Sequence, residues 1–350
     1  MVATLVGHSI LIAIAAAAAV AIPNRLAEEV RLEVAWITEL DTFSSTSTMW
    51  TPVLLEQQEL LPVWREPELM YLHPVDGHIV ERREYTLGAA FTQRFHASAE
   101  TEAGVVQVRS PAGRMQFSLS GNGRVVLRQG MQFIVSPYAN EVWGFSNRGE
   151  YLWRKQFADI LTVVESVQDH ALLGTASGEM LLVSPDGTTQ SLRAVDGNPI
   201  LGIASRERVF WVIVDGETLL LEKRNIDEPN TIQDAILLPG QGPMRRNIQM
   251  RVGRDTLFIP QYGLLLLGDE EILQLPAGTD FFDIPGTDIS LHTAASPVDG
   301  YRRFSLMDMR SKKYAVGTAG AAINIQQRDS GFLLWDNQWA VYYRLRRKAE

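Results

Sequence analysis

The 350-residue sequence contains no cysteine. That excludes disulfides, thiolate metal ligands and thiol nucleophiles, and it excludes a lipid-bearing cysteine behind any leader segment. Histidine is also scarce, with six in the chain. No two of them have metal-ligand spacing; His73 and His78 stand five apart on the two sides of a tight turn, so zinc is not expected. An excess of basic residues is missing as well. Lys and Arg number 32 against 41 Asp and Glu, a net charge of −9. Nucleic acid is therefore excluded as a partner, because neutralising phosphates supplies most of that affinity. The one basic run, Arg344 to Lys348, reads as a solvated end. There is no Gly-x-Ser-x-Gly, no phosphate-cradling Gly loop ending in Lys-Ser/Thr, and no His-Glu-x-x-His. With these gone, no catalytic constellation is left, and the sequence points to binding and not to a reaction.

What is present begins with an apolar N-terminus. Leu5 to Ile22 carries no charged residue, Ile10 to Ala21 is continuously apolar, Ala19-Val20-Ala21 has the small-x-small form of a cleavage site, and Pro23 follows. This reads as a signal peptide, with an uncleaved anchor or a buried helix as alternatives. No Lys or Arg precedes the run, which departs from the usual pattern. Either of the first two readings exports the rest of the chain to a periplasmic or other extracytoplasmic location, with membrane contact through this segment only.

The remainder repeats. Four segments share an apolar strand, a short polar turn with Gly and a second strand: Tyr71 to Gly77, Val108 to Gly113, Gly144 to Gly149 and Leu182 to Gly187. Their glycines, Gly77, Gly113, Gly149 and Gly187, are 36, 36 and 38 residues apart. A tight hairpin often needs positive φ, which Gly adopts without a Cβ clash. Third strands begin near residues 69, 105, 141, 180, 218, 262 and 301, each with two short strands before it and one after. Turn signals every 8–12 residues and four strands per unit predict an all-β propeller. The C-terminus offers three further strands, Ile323 to Gln326, Phe332 to Trp335 and Trp339 to Leu345. A spare strand, Val30 to Ile37, stands near the N-terminus. Joined to the last blade, it closes the ring and removes an open edge. The expected fold is one propeller of four-stranded antiparallel blades, eight in number, with seven as the alternative if Val30 to Ile37 is an amphipathic helix. The expected division is 1–22 signal peptide or anchor, 23–49 closing strand and polar linker, and 50–350 propeller.

The segment Val142-Trp143-Gly144-Phe145-Ser146-Asn147-Arg148-Gly149-Glu150-Tyr151-Leu152-Trp153 resembles the PQQ-type repeat of the PQQ-like/WD40-like propeller superfamily. The other units resemble it more weakly and lack the closing Trp. The Gly-His plus Trp-Asp pair of WD40 proteins and the double glycine of kelch repeats are absent. The resemblance spans roughly residues 50–345 and implies two kinds of relative. Quinoprotein dehydrogenases hold the quinone and calcium in the central funnel, but they are usually much longer and often use adjacent cysteines. The short, cysteine-free chain argues against both PQQ and calcium. Cofactor-free exported scaffolds that bind a protein on one face of the ring fit better.

Candidate contacts lie on two loops. Pro239 to Asn247 (PGQGPMRRN) carries adjacent Arg245 and Arg246, which suit carboxylate or phosphate. Ser136 to Asn140 (SPYAN) carries Tyr138, able to anchor a partner, and Asn140. Asp280, Asp283 and Asp288 could converge on a funnel, but beside Gly278, Pro285 and Gly286 they serve their own turns. Trp143, Trp153 and Trp211 read as packing between blades. The expectation is a non-enzymatic, monomeric envelope propeller that binds a protein or peptide without a cofactor. The alternative is an enzyme or a small-ligand or glycan sensor working through the funnel.

Overall fold

A computed structural model describes residues 30–40, 60–101, 103–128, 130–136, 140–193, 198–216, 218–238, 248–253, 256–267, 271–275, 279–283, 289–295, 302–308, 314–319, 324–328, 331–335 and 338–347. Every described element longer than one turn is a strand. The chain enters through β1 (Val30–Glu39) and then builds a first sheet from β2 (Leu61–Arg65), β3 (Glu68–Leu72) and β4 (Ile79–Glu84). The second sheet holds β5 (Ala89–Phe91), β6 (His96–Ser98), β7 (Val105–Arg109) and β8 (Met115–Ser120). The third holds β9 (Arg124–Leu127), β10 (Met131–Ser136), β11 (Glu141–Ser146) and β12 (Tyr151–Gln156). The fourth is β13 (Leu161–Val167), β14 (His170–Thr175), β15 (Glu179–Val183) and β16 (Thr189–Arg193). The fifth is β17 (Ile200–Arg206), β18 (Val209–Val214), β19 (Leu220–Asn225) and β20 (Glu228–Leu237). The sixth runs through β21 (Arg251–Val252), β22 (Thr256–Ile259), β23 (Leu264–Leu267) and β24 (Glu271–Gln274). Then come β25 (Thr279–Asp283), β26 (Ile289–Ala295), β27 (Arg302–Asp308) and β28 (Tyr314–Ala319). The chain ends in β29 (Asn324–Arg328), β30 (Gly331–Trp335) and β31 (Trp339–Arg347).

Within each sheet sequential strands pair antiparallel, and β1 is the exception that skips the whole chain. It pairs with β31, Val30 opposite Arg347 and Glu39 opposite Trp339, so the last sheet reads β1-β31-β30-β29. A bulge between Val34 and Trp36 turns the strand. The helical alternative for Val30 to Ile37 is thus replaced by a closing strand, and Trp36 stacks on Tyr342 at 5.5 Å.

The strand count corrects the expected architecture. Among the described residues seven sheets have four strands and the sheet β2-β3-β4 has three, so the propeller has seven full blades and not the eight expected. The last unit is completed by β1, as expected, and the first shows three strands among the described residues. The turn period explains the error: it counts the hairpins between third and outer strands and is blind to the innermost strand. The stretch before Leu60, where the first unit's inner strand was expected, lies outside the described residues. The apolar run Leu5 to Ile22 lies outside them too. Among the described residues no helix is long and apolar enough to cross a membrane.

Apolar side chains collect between neighbouring sheets. One cluster joins the last sheet to the first (Trp36, Leu61, Met70, Leu333, Tyr342). Others join the second to the third (Val108, Leu119, Val125, Phe145), the third to the fourth (Phe133, Trp153, Leu173) and the fourth to the fifth (Leu172, Leu182, Phe210). Trp335 adds an Nε1–H bond to the Trp64 carbonyl, 3.2 Å, across the seam. Burying side chains of this size stabilises by roughly 1.5–3 kcal/mol each.

The turn glycines have a second reason for their period. All four have φ between +74° and +82°. A Cβ at Gly113 would meet the Glu81 carboxylate, one at Gly149 the Phe117 ring, one at Gly187 the Trp153 side chain, and one at Gly77 the Trp36 indole. Each of those side chains comes from the outer strand of the preceding blade; for Gly77 that strand is β1. The turn of one blade is therefore the shelf on which its neighbour's outer strand rests, and only Gly leaves room.

Candidate functional site

Antiparallel pairing divides the connections between the two ends of the ring. Links from an outer strand to the next inner strand leave from the same end as links from a second to a third strand. Turns between third and outer strands lie at the other end. The described ends of the SPYAN and PGQGPMRRN connections, Asn140 and Leu238 with Ile248, belong to the first end. Tyr138, Arg245 and Arg246 lie outside the described residues. Asn140 is described. It adopts φ +47°, a left-handed conformation that Asn tolerates, and its carbonyl accepts the Phe157 N–H at 2.8 Å. The turn is anchored at its base by Glu141, whose buried carboxylate accepts from the exposed Arg154 guanidinium. That guanidinium lies over the Trp143 ring, 5.3 Å from its centre. Asp280 and Asp283 lie on β25, an inner strand, and Asp288 is outside the described residues.

Of the charged groupings at the opposite end, two include a largely enclosed side chain. Arg128, after the inner strand β9, donates to Glu165 on the next inner strand, β13, at 3.0–3.1 Å. Enclosure pushes the Glu165 carboxyl up from its ordinary range, and Arg128 and the Ser166 N–H oppose that shift.

The second grouping is one that the sequence reading set aside. The turn between β3 and β4 brings His73, Asp76 and His78 together. Asp76 Oδ1 lies 2.9 Å from His73 Nδ1 and 2.7 Å from His78 Nδ1. The two imidazoles stack at 4.9 Å. The backbone closes the hairpin through His73 N–H to His78 C=O and Gly77 N–H to His73 C=O, both 2.9 Å. Burial raises the Asp76 pKa, but the hydrogen bonds from His78 and His73 outweigh it and the carboxyl sits below its ordinary value. His73 is fully buried, whereas Asp76 is half-exposed. A separation of five residues on the two sides of a turn does not by itself bring two ligands together. His73 and His78 are cross-strand partners, the pair after Leu72 and Ile79, and directly opposed residues share a face of the sheet. The signal was present as His at both feet of one turn with Asp before its Gly. Among the described residues it is the one group of three or more acidic or imidazole side chains that could hold a metal ion.

A family model described as a beta-propeller protein matches residues 2–193, more than half of the sequence. The chain belongs to that beta-propeller family. No curated protein matches it. Among solved structures, the computationally designed Ika8 protein is similar at 13% identity and a TM-score of 0.56, over 89% of this chain and 96% of that one. BamB from Moraxella catarrhalis is similar at 8% and 0.53, over 89% and 99%. The WD40 domain of SCAP from fission yeast is similar at 8% and 0.54, over 91% and 98%. At these identities the likeness is one of fold, and it reaches across nearly the whole chain.

Proposed function

We propose that this propeller is an exported, non-enzymatic scaffold that binds a protein or peptide on the end of the ring carrying the SPYAN and PGQGPMRRN connections. Tyr138 and Asn140 supply an anchor and a polar contact, and Arg245 and Arg246 meet acidic groups on the partner. The observation that carries this reading is topological. Both connections leave from the same end of their blades, on a frame tied shut by the β1–β31 pairing. Rigid frames with loops at one end suit recognition, since the loops lose little freedom on binding. The apolar segment before Pro23, read as a signal peptide, supports a periplasmic setting. The repeat at Val142 to Trp153 supports a PQQ-like ancestry without the cofactor.

The test is proximity cross-linking of the full chain in its native envelope, followed by mass spectrometry. The wild type and an R148E control, at the opposite end of the third blade, are expected to enrich the same partner. R245E/R246E and Y138A are expected to lose it. Retention of that partner by both variants overturns the assignment of the binding face.

A further inference from the structure

We propose that His73, Asp76 and His78 form a binding site for one divalent transition-metal ion of the zinc or nickel class, placed on the seam of the ring. The donor set is two imidazole nitrogens and one carboxylate oxygen, all within 4.8 Å of one another. Such a set suits borderline metals, leaves a fourth position for water, and does not suit calcium, which takes six or more oxygens. A tetrahedral ion with bonds of about 2.0–2.1 Å holds its ligands about 3.3 Å apart. The present separations of 2.7 and 2.9 Å therefore need to open by only about half an ångström. The imidazoles bind as neutral rings with the proton moved to Nε2.

Two further observations point the same way. The first is a departure from the repeat. In the three equivalent turns Ser110, Ser146 and Ser184 occupy the foot, each accepting the N–H of a Gly three residues on. In the first blade His73 takes that place and the turn is one residue longer, so Gly77 is four residues on. Asp76 of this longer turn lies between the two imidazoles. The second is location. The Pro74 carbonyl accepts the Trp36 Nε1–H at 3.0 Å, and the Gly77 carbonyl accepts the Thr38 hydroxyl at 2.7 Å. The same turn that presents the three ligands is held by the closing strand, so an ion there stiffens the latch between the first blade and the last. Metal binding to the folded form alone adds to stability by mass action.

The experiment titrates the full chain with zinc and nickel chloride by calorimetry, with calcium chloride as the comparison, and follows thermal unfolding with and without each ion. One zinc or nickel per chain is expected, with calcium inert and the unfolding temperature raised by zinc. D76N, which keeps an acceptor for the His78 N–H, and H78A are each expected to weaken binding at least ten-fold and to abolish the zinc-induced shift. H170A, at the separate His170–Asp169 contact, is expected to bind as the wild type does. Because H78A could loosen the turn by itself, the His73 and His78 Nδ1 chemical shifts of the wild type are read on adding zinc; both must move. Amide exchange of Thr38 and Gly77 is expected to slow at least several-fold with zinc. Undiminished binding in both D76N and H78A, or unmoved Nδ1 resonances, overturns the site. Binding with unchanged exchange at Thr38 and Gly77 overturns the latch.

Discussion

Substituting alanine at Gly149 separates two demands that the repeat makes on its turns. The backbone at Gly149 has φ +80°, which costs an L-residue roughly 1–2 kcal/mol. The added methyl also overlaps Phe117 of the preceding blade. The contact includes Phe117 Cβ at 2.7 Å, an atom fixed to the backbone of β8 that cannot swing aside. Overpacking of this kind costs typically about 1–3 kcal/mol, so G149A is expected to lose about 2–5 kcal/mol in total. Two other glycines calibrate the parts. Gly88 has φ +78° and its nearest neighbour, Ala99 Cβ, would be 3.6 Å away, so G88A carries the backbone cost alone. Gly187 has φ +82° and a neighbour, Trp153 Cβ, at 3.3 Å, so G187A falls between the two. The assay is urea unfolding followed by tryptophan fluorescence, comparing midpoints at unchanged slope. In an F117G background the overlap vanishes, and G149A should cost only the backbone part, a coupling of about 1–3 kcal/mol. Equal losses at the three glycines, or no coupling to F117G, would falsify the account of why the period is glycine.

Three other perturbations follow from the same structure. His96 is buried, with its Nε2–H donating to the Ser110 carbonyl at 2.8 Å and Nδ1 receiving the Tyr85 hydroxyl at 2.6 Å. Burial pushes its pKa down to about 4. The unfolded chain takes up the proton first as pH falls below about 6.5, so stability drops between pH 6.5 and 4 by as much as about 3 kcal/mol. In H96Q the dependence of the urea midpoint on pH over that window is expected to shrink by this contribution. Glu222 and Arg224 form a fully buried pair on β19, at 2.6–2.9 Å, with Arg224 also donating to the Pro229 carbonyl. E222Q removes the carboxylate that the buried guanidinium faces and is expected to cost about 3–5 kcal/mol, while E222L/R224M costs less, by the same assay. Thr38→Val deletes the hydroxyl bond to Gly77 and is expected to lower stability by about 1 kcal/mol and to speed amide exchange along β1.

The parts of the fold legible in the sequence are those with a local physical requirement. Gly77, Gly113, Gly149 and Gly187 announce their hairpins because a positive φ and a neighbour's side chain both exclude a Cβ. The third strands begin at Glu68, Val105, Glu141, Glu179, Leu220, Leu264 and Arg302, within three residues of their expected positions. The closing strand was legible as alternation, Val30, Leu32, Val34 and Trp36, although its bulge was not. The innermost strand of a blade carries no turn signal of its own, and among the described residues the first unit shows none. The His73–Asp76–His78 grouping was overlooked for a different reason. Spacing along the chain is a poor guide to ligand geometry in a hairpin, where the pairing register decides which residues share a face. Of the candidate contacts, Asn140 could be followed into the structure, where its left-handed turn shapes the end of the SPYAN connection; Tyr138, Arg245 and Arg246 remain proposals.

The central claim is that the ring is closed by the N-terminal strand, and the absence of native cysteine makes it directly testable. Glu33 of β1 is the register partner of Arg344 of β31, and directly opposed residues of an antiparallel pair lie within the Cα range of a disulfide. In E33C/R344C, mild oxidation is expected to give an intramolecular disulfide in high yield, with a shifted non-reducing gel band and a higher urea midpoint. The off-register pair E33C/Y342C should react poorly. Cross-linking only between molecules, or equal yields from the two pairs, would contradict closure by β1.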